Sequence, residues 1–349
     1  MAKPDQQVIR PRRNWKRTLG IYFGVAISIA SIVWVFNYVG TQNLFEQFKK
    51  IQASYVVLAI VLTLTGYFVR SLRWVYFFHE KVPSYSASMM CVFVGFFMNN
   101  VLPARMGEFV RAHFGGRLTN QSRATVLATI AGERLADGVM ISAIFSLLYI
   151  FASTEAERRE GAGVMYVSLL FGFVAVCVVI FMSQRALVFG VLHRIAARFP
   201  GRTASYALPR LERFVEGLQP MFQPRRFVIL TVLSAVVWGL ELAAYAQVCR
   251  AYDYEMSWGT LSLFLAAVNF SSLIPSAPGA LGVIEAVATL VLVHVGVEKE
   301  IALAMVSTQH IIQYIVVGIP GAYFFFHYFR GKLPVDESVA DGDSPIDLA

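Results

Sequence analysis

Charge is what this sequence has least of. Lys, Arg, Asp and Glu make up 15% of its 349 residues, where a soluble domain carries about a quarter. That shortage excludes an ordinary water-soluble globule. Cysteine is nearly absent as well. Cys91, Cys177 and Cys249 are scattered in apolar surroundings, which excludes a disulfide framework and cysteine-based metal spacing. The ten-residue alternation of a membrane β-barrel is also missing. The net charge of +8 is not gathered into a nucleic-acid patch. The basic residues fall between apolar segments, where they act as topology signals, so no nucleic-acid partner is expected.

What is there is apolar length. Hydrophobic residues make up 57% of the chain, the mean hydropathy is +0.59, and several stretches run for about 20 apolar residues, enough to cross a hydrocarbon core. The sequence predicts an all-α polytopic membrane protein with about six full transmembrane helices. These are residues 18–39, 54–78, 123–151, 164–182, 227–248 and 301–328. The first is too long for a signal-peptide core and reads as an uncleaved anchor. Residues 1–17 form a basic cytoplasmic tail, residues 41–53 and 153–163 outside loops, and residues 331–349 a disordered acidic cytoplasmic tail. Residues 184–226 carry eight arginines (185, 194, 198, 202, 210, 213, 225 and 226). They mark the cytoplasm and predict one or two amphipathic helices on its surface. Arg70 and Arg73, at the inner end of the second span, are expected to snorkel to the membrane boundary.

Two stretches break the pattern. In residues 96–111, FFMNNVLPARMGEFVR, an apolar run stops at Asn99 and Asn100. Pro103, Arg105, Gly107, Glu108 and Arg111 follow. In residues 269–285, NFSSLIPSAPGALGVIE, the breakers are Pro275, Pro278, Gly279 and Gly282, with Glu285 after them. Each stretch joins two apolar pieces of half-span length, as in a re-entrant or broken hairpin. The alternative for the first is one full span followed by an interfacial helix. As a sequence repeat the match is loose, because the second stretch is longer.

Topology strengthens the parallel. With the N-terminus in the cytoplasm, the first hairpin dips in from the cytoplasm and the second from outside, every basic loop falls inside, and the C-terminus ends in the cytoplasm. The unit span–hairpin–span occurs twice in opposite orientation, over about 54–151 and 227–328, within one domain at 18–330. That is the plan of many secondary transporters. Counting each hairpin as a full double crossing gives the same sidedness.

Facing hairpin tips would meet near the midplane, where helix N-termini and freed backbone groups bind polar ligands. Candidate translocation residues are Asn99, Asn100, Arg105, Glu108 and Arg111 on the first hairpin. Glu285 on the second joins them, with Gln309 and His310 on the last span. Glu133, Arg134 and Asp137 lie inside another span, with Glu133 and Asp137 four apart on one face. Ionisable groups there are a functional-site hypothesis. A fixed ion pair locking this helix to the hairpin explains them equally well. No His or metal-ligand cluster accompanies them, and no metal or cofactor is expected.

Three stretches together carry a family resemblance: Asn99-Asn100-Val101-Leu102-Pro103-Ala104-Arg105-Met106-Gly107-Glu108, Glu133-Arg134-x-x-Asp137, and Pro275-x-x-Pro278-Gly279-x-x-Gly282-x-x-Glu285. The chain resembles the lysylphosphatidylglycerol synthase transmembrane-region family, flippase-like integral membrane proteins, from about residue 16 to residue 330. Many relatives have a double glycine where this chain has Gly279-Ala280. The resemblance implies a bacterial or archaeal inner (plasma) membrane protein related to the domain that flips aminoacylated phosphatidylglycerol between leaflets. The family's synthase chemistry sits in a separate soluble C-terminal domain, and an acidic tail of about 20 residues follows the last span here. Enzymatic activity is therefore not expected. The leading expectation is a lipid transporter for a polar-headed lipid, anionic or aminoacylated, a polyprenyl-linked sugar or a hopanoid-type lipid. The alternatives are a membrane-embedded enzyme or accessory subunit acting on a lipid-linked substrate beside a lipid-modifying partner, and a small-solute transporter.

Overall fold

A computed structural model describes residues 15–39, 41–79, 82–102, 106–152, 162–198 and 202–329. The expectations for the two tails, for the loop at 153–161, and for Pro103 and Arg105 lie outside the described residues. Within them the chain is helical, with no strand. The helices are α1 (Trp15–Val39), α2 (Thr41–Lys49), α3 (Ala53–Val75), α4 (Tyr85–Val101), α5 (Gly107–Thr119), α6 (Arg123–Ala152) and α7 (Ala162–Ser183). They continue as α8 (Arg185–Arg198), α9 (Arg202–Leu218), α10 (Pro224–Ala251), α11 (Trp258–Ser271), α12 (Val283–His294) and α13 (Lys299–Phe324).

Four helices are long and apolar enough to cross a membrane: Ala53–Val75, Arg123–Phe151, Pro224–Ala251 and Lys299–Tyr328. Ser168–Ser183 joined to Arg185–Arg194 across a 72° bend makes five. The six full spans expected from sequence are met to that extent; α1 contributes Gly24–Val39 as a shorter apolar helix. Large apolar side chains cover the outside, for example Val57, Phe151, Leu169, Phe173 and Ile319, as a lipid-facing surface requires.

The two broken stretches are short helices end to end. The first hairpin is α4, of 17 residues, and α5, of 13. The second is α11, of 14 residues, and α12, of 12. At 1.5 Å per residue none exceeds about 26 Å. Each hairpin starts in the same way. Ser84 and Ser257 are extended N-caps, with φ/ψ of −62°/154° and −61°/154°. Their hydroxyls accept from the backbone N–H of Ala87 and Thr260, satisfying a free donor of the first turn.

Packing runs in corresponding pairs. α3 packs along α10. α4 packs on α13, and α11 packs on α6. α5 packs on α6 and α12 on α13, while α3 meets α4 and α10 meets α11. α1 braces the second hairpin: it packs on α12, and the Ser28 hydroxyl accepts from the Ala277 N–H at 2.8 Å.

One local expectation is corrected. The run at 41–53, read as a loop, holds the helix α2, which packs on α13. Asn99 and Asn100 form the last turn of α4. Asparagine is a poor helix former but not a breaker, and the chain leaves the helix at Leu102, where the following proline disfavours helical geometry. The arginine-rich stretch forms two helices, α8 and α9, and α9 packs on α6.

Candidate functional site

The site begins with Arg70 and Arg73 on α3. The snorkelling expectation fails for both: each is buried, Arg73 completely. They point inward because α6 supplies their counter-charges. Arg73 reaches Asp137 at 2.8 Å and Glu133 at 3.4 Å, and Arg70 reaches Asp137 at 3.3 Å. Arg111 of α5 meets Glu133 at 2.6 Å. Arg134 reaches Glu108, Glu133 and Asp137 at 3.3, 3.8 and 3.6 Å. Four guanidinium groups thus face three carboxylates, leaving one net positive charge. Aromatic faces cover the cations: Arg111 lies 4.1 Å from the Trp74 ring centroid, Arg70 4.5 Å from Trp238 and Arg134 4.8 Å from Phe96. Trp238 also donates its indole N–H to Asp137 at 3.0 Å. Removing one partner from such a buried set costs about 3–5 kcal/mol, because the survivor keeps an uncompensated charge. Arg134 differs from the rest. Its side chain is 32% exposed and opens onto a cavity.

That cavity, of about 420 Å³, lies between the two hairpins. The first hairpin lines it with Phe96, Asn99, Asn100, Leu102 and Glu108, and the second with Asn269 and residues from Ser272 to Ala277, then Gly279 and Ala280. The long helices close it with Tyr67 and Arg70 of α3, Arg134 of α6, Trp238, Glu241 and Tyr245 of α10, and His310, Gln313 and Tyr314 of α13. Leu273 and Ile274 line it and are also exposed at the protein surface.

The second tip is held by hydrogen bonds. Glu285, at the third position of α12, accepts from the Gly282 N–H at 2.7 Å, a carboxylate placed where a helix start favours one. Its other oxygen lies 2.6 Å from His310 Nδ1, and His310 Nε2 is 3.0 Å from the Gly279 carbonyl. Gly279 is required twice over. Its φ is +67°, and a Cβ there would stand 1.6 Å from the Tyr314 hydroxyl. The first hairpin closes on Gly107, where a Cβ would stand 2.1 Å from the Gly95 carbonyl.

Of the residues singled out in the sequence, Asn99, Asn100, Glu108, Arg134 and His310 line the cavity, with Pro275 and Gly279 among the breakers. Arg111, Glu133 and Asp137 lie behind its wall, where the arginines neutralise both carboxylates. Glu285 sits behind His310, and Gln309 is buried against Glu241 at 3.5 Å. Pro278 and Gly282 shape the second tip without lining the cavity. The candidate residues drawn from the sequence did not include Tyr67, Arg70, Trp238, Glu241, Tyr245 or Gln313. Tyr67, Arg70 and Trp74 are spaced three and four apart, which places them on one helix face. That spacing was the available signal.

A profile described as the lysylphosphatidylglycerol synthase TM region matches residues 21–321. The chain is 23% identical to the UPF0104 membrane protein PH1989 of Pyrococcus horikoshii over 86% of its own length and 93% of the relative's. It is 22% identical to a UPF0104 membrane protein of Methanothermobacter thermautotrophicus, over 85% and 92% of the two chains. It is also 23% identical to the glycosyltransferase AglD of Haloferax volcanii, covering 90% of this chain and 55% of AglD. No solved structure matches it. The chain is an integral membrane protein that belongs to the lysylphosphatidylglycerol synthase TM region family.

Proposed function

We propose that this protein moves a polar-headed lipid, anionic or aminoacylated, between membrane leaflets. The observation that carries the reading is the shared cavity: both hairpin tips line one space of about 420 Å³. Two full double crossings would put the tips at opposite faces of a core about 30 Å thick. A shared space is consistent with two half-membrane hairpins meeting near the midplane, and the helix lengths and the paired packing support the same inverted repeat. On this reading the chain has six full spans plus two re-entrant pairs, in the inner (plasma) membrane with both termini cytoplasmic; the four long helices, the bent pair and the shorter α1 support that count.

The lining suits a headgroup. Arg134 and Arg70 offer guanidinium groups to a phosphate, which a guanidinium binds in a two-pronged way. Leu273 and Ile274 present apolar surface at the rim, where acyl chains stay in lipid. That rim favours a lipid cargo over a small solute. Glu133 and Asp137, which an enzyme would use for acid–base work, are neutralised behind the wall, which favours transport over catalysis. A lipid-linked sugar is the second cargo class, favoured by the glycosyltransferase AglD among the relatives; an enzyme acting on lipids would then be a partner.

The test is a leaflet-asymmetry assay on the purified protein in liposomes carrying headgroup-tagged fluorescent phosphatidylglycerol. Wild-type vesicles are expected to move the probe faster than protein-free ones. Arg134→Ala is expected to lose about tenfold or more, as for a charge-assisted hydrogen bond. Equal rates with and without protein, for anionic, aminoacylated and polyprenyl-linked probes alike, would overturn the reading.

A further inference from the structure

The other acidic side chains named in the site have partners of their own: Glu133, Asp137 and Glu108 face arginines, and Glu285 is held by the His310 ring and the Gly282 N–H. Glu241 has no Lys, Arg or His within ion-pair distance among the described residues. It is nevertheless 3% exposed, in the middle of α10, and forms part of the cavity wall. Its hydrogen-bond partners are neutral amides of α13: Gln313 Nε2 donates to Glu241 Oε1, and Gln309 Nε2 lies at 3.5 Å. The Tyr67 hydroxyl donates to Gln313 Oε1 at 3.0 Å. One carboxyl therefore ties α3, α10 and α13 together through a single relay.

An isolated carboxylate in a low-dielectric interior is expensive, and ionisable groups at membrane depth mark ion or proton pathways. Two amide donors lessen the cost but bring no charge. We propose that Glu241 is a proton-exchanging site of this protein, and, resting on the lipid-transport reading above, that its proton couples lipid movement to the proton gradient. The carboxylate takes a proton from water in the cavity when the cavity opens to one side and returns it when the cavity opens to the other. The proton adds no other bond and needs no co-reactant.

The surroundings supply the coupling. Glu241 shares the cavity with Tyr67 and Arg70 of α3, Arg134 of α6 and Glu108 of α5, with Asp137 behind the wall. Tyr245 lies one turn along its own helix; His310 and Tyr314 face the space from α13. From α11 the neighbour is the neutral Asn269. An ionised Glu241 holds a negative charge opposite Arg70 and Arg134, where it competes with an anionic headgroup for them. A protonated Glu241 releases that competition. Proton uptake and anionic-headgroup binding therefore favour each other, and by linkage the preference is mutual.

Two measurements test this. Infrared difference spectroscopy of the purified protein is expected to show a protonated-carboxyl band that emerges on acidification, persists when the exposed Glu298 at the start of α13 is changed (Glu298→Gln) and is lost in Glu241→Gln. In proteoliposomes holding fluorescent phosphatidylglycerol, an imposed pH gradient is expected to change the wild-type rate about fivefold or more and to leave Glu241→Gln unchanged. No band dependent on Glu241, or a full gradient response in Glu241→Gln, would overturn the proposal. Thermal stabilisation by sodium that vanishes in Glu241→Gln, without such a band, would overturn it in favour of a metal cation; Gln309 Oε1, buried and without a hydrogen-bond partner, makes that arm necessary. A band that depends on Glu241 in a protein that moves no lipid would uphold the proton site and overturn the lipid-transport reading instead.

Discussion

Arg73 and Arg134 touch the same two carboxylates and are expected to fail differently. Arg73 is fully buried and holds Glu133 and Asp137 while donating to Ser234 of α10 at 2.9 Å. Arg73→Ala leaves two buried carboxylates short of a cation and is expected to destabilise the protein by about 3–5 kcal/mol, read as a large fall in thermal stability in detergent. Arg73→Lys is expected to restore little, because an ammonium cannot reproduce the forked geometry. Arg134 is one-third exposed, so water screens it and its removal costs little stability. Arg134→Ala should melt near the wild-type temperature and lose lipid movement. A similar loss of stability in both variants would contradict the division between a structural cluster and a cavity-facing arginine. The sequence placed Glu133, Arg134 and Asp137 correctly inside a span and left open whether they serve structure or function. Their partners across space, Arg70 and Arg73, sit 60 or more residues away, and nothing in local spacing links the two segments. Long-range ion pairs are settled by tertiary packing, which is why the arginines read as boundary residues from sequence.

The second hairpin shows how a turn is written at the level of one element. Its tip needs positive φ at three positions in four: Gly279 at +67°, Ala280 at +57° and Gly282 at +82°. Glycine meets that demand at two of them. Ala280 does not, and an L-residue with a Cβ in the left-handed region costs about 1–2 kcal/mol. Ala280→Gly is therefore expected to stabilise the protein by about 1 kcal/mol, the strain relief being partly offset by the freer unfolded chain. A rise in melting temperature checks this, and a fall would show that the Ala280 methyl group contributes packing worth more than the strain. Gly279→Ala should do the opposite, since its Cβ would collide with the Tyr314 hydroxyl. The proline and glycine spacing made the break legible in the sequence. The demand at Ala280 was visible there only as a departure from the double glycine of relatives. Glycine and proline stops are local signals, which is why the break was legible. The bracing of this tip by Ser28 of α1 was not, because it joins segments 249 residues apart.

At the scale of the whole molecule, one question separates the proposed architecture from its rival: how far apart are the two tips? Charge distribution gives the same sidedness for two half-membrane hairpins and for two double crossings, so loop-labelling experiments cannot decide. Distance can. In the fold described above, Asn100 and Ser276 line one cavity. In the rival arrangement they would stand at opposite faces of a core about 30 Å thick. With Cys91, Cys177 and Cys249 replaced, the double variant Asn100→Cys/Ser276→Cys is expected to close with a short bifunctional thiol reagent inside one chain, detected as a link between fragments after cleavage in the 184–226 segment. Pairing each cysteine with one in the turn between α10 and α11, such as Asp253→Cys, is expected to give no such link. The same cross-link carries functional weight. If transport requires the tips to part alternately toward the two leaflets, the linked protein should bind its lipid and stop moving it, and cleaving the linker should restore the rate. Failure of the tips to link in a correctly folded, membrane-inserted protein would remove the shared midplane site, and with it the physical basis for reading these helices as a lipid carrier.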